Sequence, residues 1–192
     1  MTATWTIPTQ LLAPLCRVLH RHTSDDPTRF VLWTALVEPK EKKFCATDGH
    51  ALIRVVVPSL ECAGEGNSLI HRTDLKELSS WRVKKGDVAL CGRVDVGAGV
   101  VTVPSMDRTL RLSAEAKVAE WPAYQKRFEG KRKPGSELYV DPGLMSDAML
   151  SMQDLGIKCV KLDLGGTHDP AFLTGRNVDF DVAVLVMPMR GP

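Results

Sequence analysis

The chain has 192 residues, 44% of them hydrophobic, and its 25 lysines and arginines nearly balance 23 acidic side chains to leave a net charge of +2. That apolar content is enough for one large domain or two small ones to bury a core, while the small net charge excludes a polycation that would bind nucleic acid through composition alone. No apolar run approaches a membrane span, and the start "MTATWTIPTQ" lacks the basic segment and long apolar run of a secretory signal, so a cytoplasmic protein with no membrane attachment is expected.

The first element signal is "WTIPTQLLAPLCRVLH", a short apolar stretch followed by an amphipathic run that Leu11 opens. Pro14 lies where a continuous helix would run, which predicts a late start or a kink. Three strand-like segments follow, "RFVLWTALVE", "KKFCA" and "HALIRVVV". Between the last two, Asp48-Gly49 is a strong hairpin signal, because glycine accepts the positive φ that the turn requires.

Asp48 beside His50 raises the question of a catalytic pair, with Cys45 as nucleophile and His50 as base in a hydrolase. The sequence offers no glycine-rich oxyanion turn beside Cys45, no orienting acid and no phosphate-binding motif, so no catalytic residue and no enzyme are expected. The five cysteines, Cys16, Cys45, Cys62, Cys91 and Cys159, stand singly and never form the close pairs of zinc or redox motifs. Buried free thiols are the expectation, with no metal and no cofactor.

The pattern of the first element returns twice. In "LIHRTDLKELSSW" Leu75 opens the amphipathic run, with Asp74 as a candidate cap and Glu77 three positions on. The strand-like segments "DVAL", "GVVTVP" and "TLRLSAEA" follow. After "EWPAYQKRFEGKRKPGSE", polar, basic and punctuated by Pro134 and Gly135, comes "LYVDPGLMSDAMLSMQDLG". There Asp141 before Pro142 reads as an N-cap followed by proline at the first helical position. Leu144, Ala148, Met152 and Leu155 share one face, and Gly156 is placed to stop the helix. "IKCVKLDL", "PAFLTG" and "DVAVLVMP" complete the set.

The chain thus reads as an internal repeat of three β-α-β-β-β units, an α+β fold with helices on one side of antiparallel sheets. Residues 1–120 hold two units, 121–135 form a linker, and 136–192 hold one unit.

A tandem β-α-β-β-β repeat with "ATDGH" in one unit, "EWPAY" at a junction and "VLVMPMR" at the end resembles the β sliding clamp of bacterial DNA polymerase III, in the same order along nearly the whole chain. The resemblance implies a DNA-clamp fold reduced to about one and a half clamp domains, a complete middle domain in 1–120 and the second half of a last domain in 136–192. Family clamps end in a leucine soon after the last motif, where this chain has Gly191 and Pro192. Ala51 stands in place of an arginine usual after the family's histidine, and Arg127 in place of an apolar residue, with Phe128 adjacent.

Carried over by motif, the resemblance implies a pocket for short linear peptides of polymerases, clamp loaders and repair proteins. The hairpin would contribute Thr47, Gly49, His50 and Leu52, and the first strand Arg29, Val31 and Leu32. Pro122 would come from the junction, and Leu185, Met187, Pro188, Met189 and Arg190 from the C-terminal strand. Independently of the family, Met187 and Met189 flanking a rigid Pro188 suit a surface that accepts varied apolar partners; the same residues also suit an edge strand packed in its own core.

The resemblance further implies helices facing double-stranded DNA, with Arg17 and Arg21 on the first and Arg72, Lys76, Arg82 and Lys84 on or after the second meeting phosphates without reading bases. Equally, such charges can be a solvated helix face. The third helix carries Asp147 and Asp154 and no basic residue, and the basic run Lys126, Arg127, Lys131, Arg132 and Lys133 is either a further contact or an exposed loop. Matching a clamp ring of about twelve units would take a homo-oligomer of four copies. Two functions follow: a processivity factor that encircles duplex DNA and tethers polymerase or repair proteins, or a non-encircling peptide-binding module that competes with or regulates a full clamp.

Overall fold

The computed structural model describes residues 4–26, 28–63, 66–81, 93–97, 100–103, 108–111, 121–129, 138–165 and 169–189. In the first unit, β1 (Thr4–Pro8) leads into α1 (Thr9–Arg21), and β2 (Thr34–Glu38), β3 (Lys43–Thr47) and β4 (Ala51–Val56) follow, with a short β5 (Glu61–Ala63) after them. The second unit has β6 (Ser68–His71), α2 (Arg72–Ser79), β7 (Arg93–Gly97), β8 (Val100–Val103) and β9 (Arg108–Arg111). A short α3 (Gln125–Glu129) lies in the connection. The third unit has an extended stretch at 138–140, then α4 (Pro142–Asp154), β10 (Lys161–Leu164), β11 (Ala171–Arg176) and β12 (Asp181–Val186).

Among the described residues all strand pairs are antiparallel, and they build two sheets. One runs β5-β1-β7-β8-β9, the other β10-β11-β12-β4-β3-β2-β6. The first strand of each of the first two units joins the sheet of the other: β1 pairs with β7, and β6 pairs with β2. The third unit is tied to the first by β12 against β4, in register from Asp181↔Val56 to Val186↔Ala51. That pairing brings the last strand-like segment of the chain against the Asp-Gly hairpin.

The alternation of β4 explains the layers. Ala51, Ile53 and Val55 are buried on the face covered by helices, while Leu52, Arg54 and Val56 point to the other side. One main core spans all three units, including Trp5, Ile7, Leu15 and Leu19 with Phe44, Ile53, Leu75, Met152 and Val184. A second cluster of Leu36, Cys45, Trp121 and Tyr124 lies on the opposite face of the seven-stranded sheet. Among the described residues no helix is long and apolar enough to cross a membrane.

Helix termini follow their chemistry. Asp141 caps α4 with Oδ1 accepting from the backbone N–H groups of Gly143 and Leu144, at 2.7 and 3.1 Å, and Pro142 occupies the first turn. Gly156, at φ +71°, ends it as expected. α1 starts early rather than late: Thr9 opens it and Pro14 sits inside. Proline there leaves the carbonyl of Gln10, an exposed residue that water can reach, without its helical donor.

Other expectations change. In "RFVLWTALVE" only Thr34–Glu38 is strand, because Phe30–Trp33 winds into a 3-10 turn. Side chains hold that turn: the Thr34 hydroxyl donates to the Val31 carbonyl, and the Trp33 indole N–H to that of Asp26, both at 2.8 Å. Asp74 is not the cap of α2; it is buried within the first turn, and His71 Nδ1 caps the helix by accepting from the Thr73 N–H. The connection after residue 120 begins with the buried residues Trp121 and Tyr124. "DVAL" lies outside the described residues.

Candidate functional site

The hairpin tip is built from its own side chains. Asp48 Oδ1 accepts from the backbone N–H groups of His50 and Ala51 at 2.8 and 2.7 Å, and Thr47 Oγ1 donates to the Ala51 carbonyl while accepting from Gly49 N–H. Asp48 is therefore an Asx-type turn former, using its carboxylate on backbone donors. Gly49 has φ +94°, and a Cβ there would stand 2.7 Å from Arg29 Nη1. The missing side chain leaves room for the guanidinium, which reaches the Asp48 carbonyl at 3.4 Å.

Beyond the tip, the backbone N–H of Met187 donates to the His50 carbonyl at 2.9 Å. This bond continues the β4–β12 pairing past the ends of both strands and fixes the methionine beside the hairpin. Between these two elements and the segment after Trp121 lies a groove of about 430 Å³. Seven of the expected pocket residues line it: Thr47, Gly49, His50 and Leu52 from the hairpin, Pro122 from the connection, and Leu185 and Met187 from the β12 end.

The floor was less visible in the sequence. Trp121 and Tyr124 line the groove and pack edge to face at 5.8 Å; behind them, off the lining, Tyr124 meets Phe128 at 6.0 Å and Phe128 leans on Phe172 at 6.0 Å. Arg54 places its guanidinium 4.4 Å from the Phe128 ring centre. Phe128 packs on the Trp121 and Tyr124 cluster, while Arg127 beside it lines the groove. The Tyr124 hydroxyl donates to Glu38 Oε2, and the Trp121 indole donates to the Thr34 carbonyl. Lys126, Arg127, Asp169 and Pro170 complete the rim. Two aromatics inside a polar basic stretch were the available signal for this wall.

The remaining pocket candidates divide. Pro188 and Met189 line an adjoining depression shared with His50, Leu144 and Met187, and Met189 N–H donates to the Tyr139 carbonyl at 2.8 Å. Met187 and Met189 are 39% and 50% exposed. Val31 packs against the Trp121 cluster, and Leu32 lies under Gly49. Arg29 faces a third, polar recess with His20, Asp26, Asp48 and Arg72. His50 borders all three hollows. Arg190 lies outside the described residues.

The basic candidates are arranged differently from a bare cationic surface. Arg21 Nη2 binds Asp154 Oδ2 at 2.7 Å and its Nη1 donates to Ser151 Oγ at 3.0 Å, while Arg17 reaches Asp154 at 3.5 Å. The acidic helix α4 therefore packs on α1 and takes up its arginines. Arg72 and Lys76 lie near His20; burial, and then these two cations and Arg21, hold that imidazole's pKa below its ordinary value. Arg82, Lys84, Lys131, Arg132 and Lys133 lie outside the described residues.

Cys45 cannot act as a nucleophile in this setting. It is fully buried in β3, hydrogen-bonded with Tyr124, and burial pushes its thiol pKa up to about 12. Cys16 is likewise buried and shifted upward by desolvation. Among the described residues no group of His, Cys, Asp or Glu is arranged to hold a metal ion.

No protein-family model matches the chain, and no curated protein matches its sequence. Solved structures do match. A putative DNA polymerase III beta subunit from Eubacterium rectale aligns with a TM-score of 0.75 at 11% identity, over 98% of this chain and 66% of that one. The DNA polymerase sliding clamp of Bacillus subtilis gives 0.67 at 17% identity, over 98% and 64%, and that of Pseudomonas aeruginosa 0.68 at 17%, over 99% and 67%. The chain spans about two thirds of the length of these clamps. Likeness at such identities is a likeness of backbone architecture: the chain has the DNA-clamp fold, that of the bacterial DNA polymerase III beta subunits.

Proposed function

We propose that the protein is a clamp-like processivity factor without catalytic activity, which captures short linear peptides in the groove between the Asp48-Gly49 hairpin and the end of β12. One observation carries the reading: the hairpin and the C-terminal strand, over 130 residues apart in sequence, meet in an open groove with an aromatic floor and Met187 at its edge. The exposed Met187 and half-buried Leu52 beside Lys126 and Arg127 suit a peptide with apolar anchors and acidic flanks. The partners are then polymerase, clamp-loader or repair proteins. Residues 1–120 serve as a full clamp domain and 136–192 as a half domain, and four copies would supply the twelve units of a ring around duplex DNA, in the cytoplasm.

A second reading has support of its own. Arg17 and Arg21 are already engaged by Asp154, which lowers the attraction of α1 for phosphate and favours a module that binds the same peptides without encircling DNA. Fluorescence anisotropy with a labelled polymerase-derived clamp-binding peptide tests the shared core of both; no saturable binding would refute it. Retention on nicked circular DNA that is lost on linearisation supports the ring, and equal retention on both forms supports the module.

A further inference from the structure

We infer that the third unit is completed by the third unit of a second copy of this chain, related by a two-fold axis, with residues 138–140 of each copy pairing with β10 of the other. The pattern comes from the first two units. There the first strand of each unit pairs with the second strand of its mate: β1 with β7, and β6 with β2. The exchange is reciprocal, as two-fold packing of like units requires.

Among the described residues the third unit contains both halves of this device and a mate for neither. β1 lies between β7 and β5, the segment that follows the last strand of its own unit. The stretch 138–140 has the equivalent of the β5 contact, an antiparallel bridge from Val140 to Pro188 just after β12. The place that β7 occupies beside β1 has no strand here among the described residues. Correspondingly, β10 ends its sheet, with β11 as its one neighbour there.

The sequences fit the exchange. "RVDVG" at 93–97 and "KLDLG" at 161–165 share a basic residue, an aliphatic, aspartate, an aliphatic and glycine in order. In the first seam Ile7 pairs with Val94 and Trp5 with Val96. Counting back from each helix start, Val140 and Leu138 stand where Ile7 and Trp5 stand. The register that follows is Val140 to Leu162 and Leu138 to Leu164 of the second copy, with Asp141 opposite Lys161 as Pro8 is opposite Arg93. The second seam gives the same offset: Ile70 pairs with Ala35 and Ser68 with Val37.

Burial points the same way. Ala35 and Val37 are fully buried by that seam, whereas their counterparts Leu162 and Leu164 are 49% and 48% exposed. Met149 and Leu150 on α4 are also exposed, although Cys16, at the position of Met149 in α1, is buried. Of the large apolar side chains exposed among the described residues, Tyr139, Met149, Leu150, Leu162 and Leu164 all lie on this unit, a concentration that a partner surface explains. An open strand edge beside it offers ready backbone pairing.

The inference rests on strand pairing and not on peptide capture, so each can fail alone. Sedimentation of the full chain is expected to give an even multiple of 21.1 kDa. Leu162→Asp and Leu164→Asp, both at exposed positions, should halve that mass with an unchanged circular dichroism spectrum and unchanged peptide affinity. In a background lacking the exposed Cys62 and Cys159, Leu138→Cys combined with Leu164→Cys should yield a covalent dimer with a short thiol cross-linker, which decides the matter should the aspartate variants fail to fold. A parent that stays monomeric at every concentration, as when a different protein covers this face, would overturn the inference. So would aspartate variants of parental mass, or absence of the cross-linked dimer.

Discussion

Met187 donates its backbone N–H to the carbonyl of His50 at 2.9 Å, and this one bond joins the C-terminal strand to the hairpin tip at the mouth of the groove. Because the bond is between backbones, side-chain truncation leaves it in place. Met187→Ala and His50→Ala should therefore weaken a polymerase-derived peptide by roughly tenfold, about 1.4 kcal/mol, while folding and assembly mass stay unchanged. Titration by anisotropy, with sedimentation as control, checks this; parental affinity in both variants would remove the groove from the binding surface.

Gly49 joins two requirements, a φ of +94° and the space taken by Arg29 Nη1. The steric contact is with the far end of a flexible, half-exposed side chain, so it yields cheaply; the backbone conformation does not. Gly49→Ala should cost about 1–2 kcal/mol of stability. Adding Arg29→Ala should restore little of it in urea unfolding, whereas full restoration would show that crowding, not φ, sets the requirement.

What the sequence disclosed was local. Asp141-Pro142 and Gly156 announced the ends of α4, and Asp48-Gly49 announced the hairpin, because each acts on donors or dihedrals within a few residues. Trp121 and Tyr124 sit in a stretch whose composition is polar, and the groups that bury them, the Thr34 carbonyl, Glu38 and Cys45, lie more than 75 positions away. His71 as a cap and Arg21 bound to Asp154 are hidden for related reasons: an imidazole is an uncommon capping acceptor, and the ion pair exists only once α4 packs on α1. The three-unit repeat was legible, yet the joining of β12 to β4 needed the clamp resemblance to be foreseen.

Asp154 is the hinge between the two functional readings. It is 26% exposed and serves both Arg17 and Arg21, so Asp154→Asn removes a carboxylate from a partly shielded site and should cost roughly 1–2 kcal/mol. The same change frees Arg17 and leaves Arg21 with Asp147, 3.8 Å away, and Ser151. If α1 faces duplex DNA, binding at low salt should strengthen severalfold and its salt dependence should steepen. Filter binding across a salt series checks it, and unchanged affinity together with lost stability would place these arginines in the structural joint between the units alone.

His22 gives that joint a pH dependence. It is buried, with Nε2 3.0 Å from Ser151 Oγ. Ser151 donates its own proton to the Asp147 carbonyl and accepts from Arg21, so the imidazole is the donor in this contact. Burial, opposed by Asp48 and aided by Arg21, lowers its pKa from 6.5 to about 4. A group whose folded pKa is depressed in this way is neutral in the fold while the unfolded chain takes up a proton. Stability from this residue is therefore intact above pH 6.5, falls as pH drops toward about 4, and levels off below, a loss on the order of 3 kcal/mol. His20, shifted in the same direction, adds to the slope. Urea midpoints should decline from neutral pH toward pH 4, and His22→Gln, whose amide can still donate to Ser151, should flatten the decline. A variant that keeps the parental slope would assign the dependence to other groups.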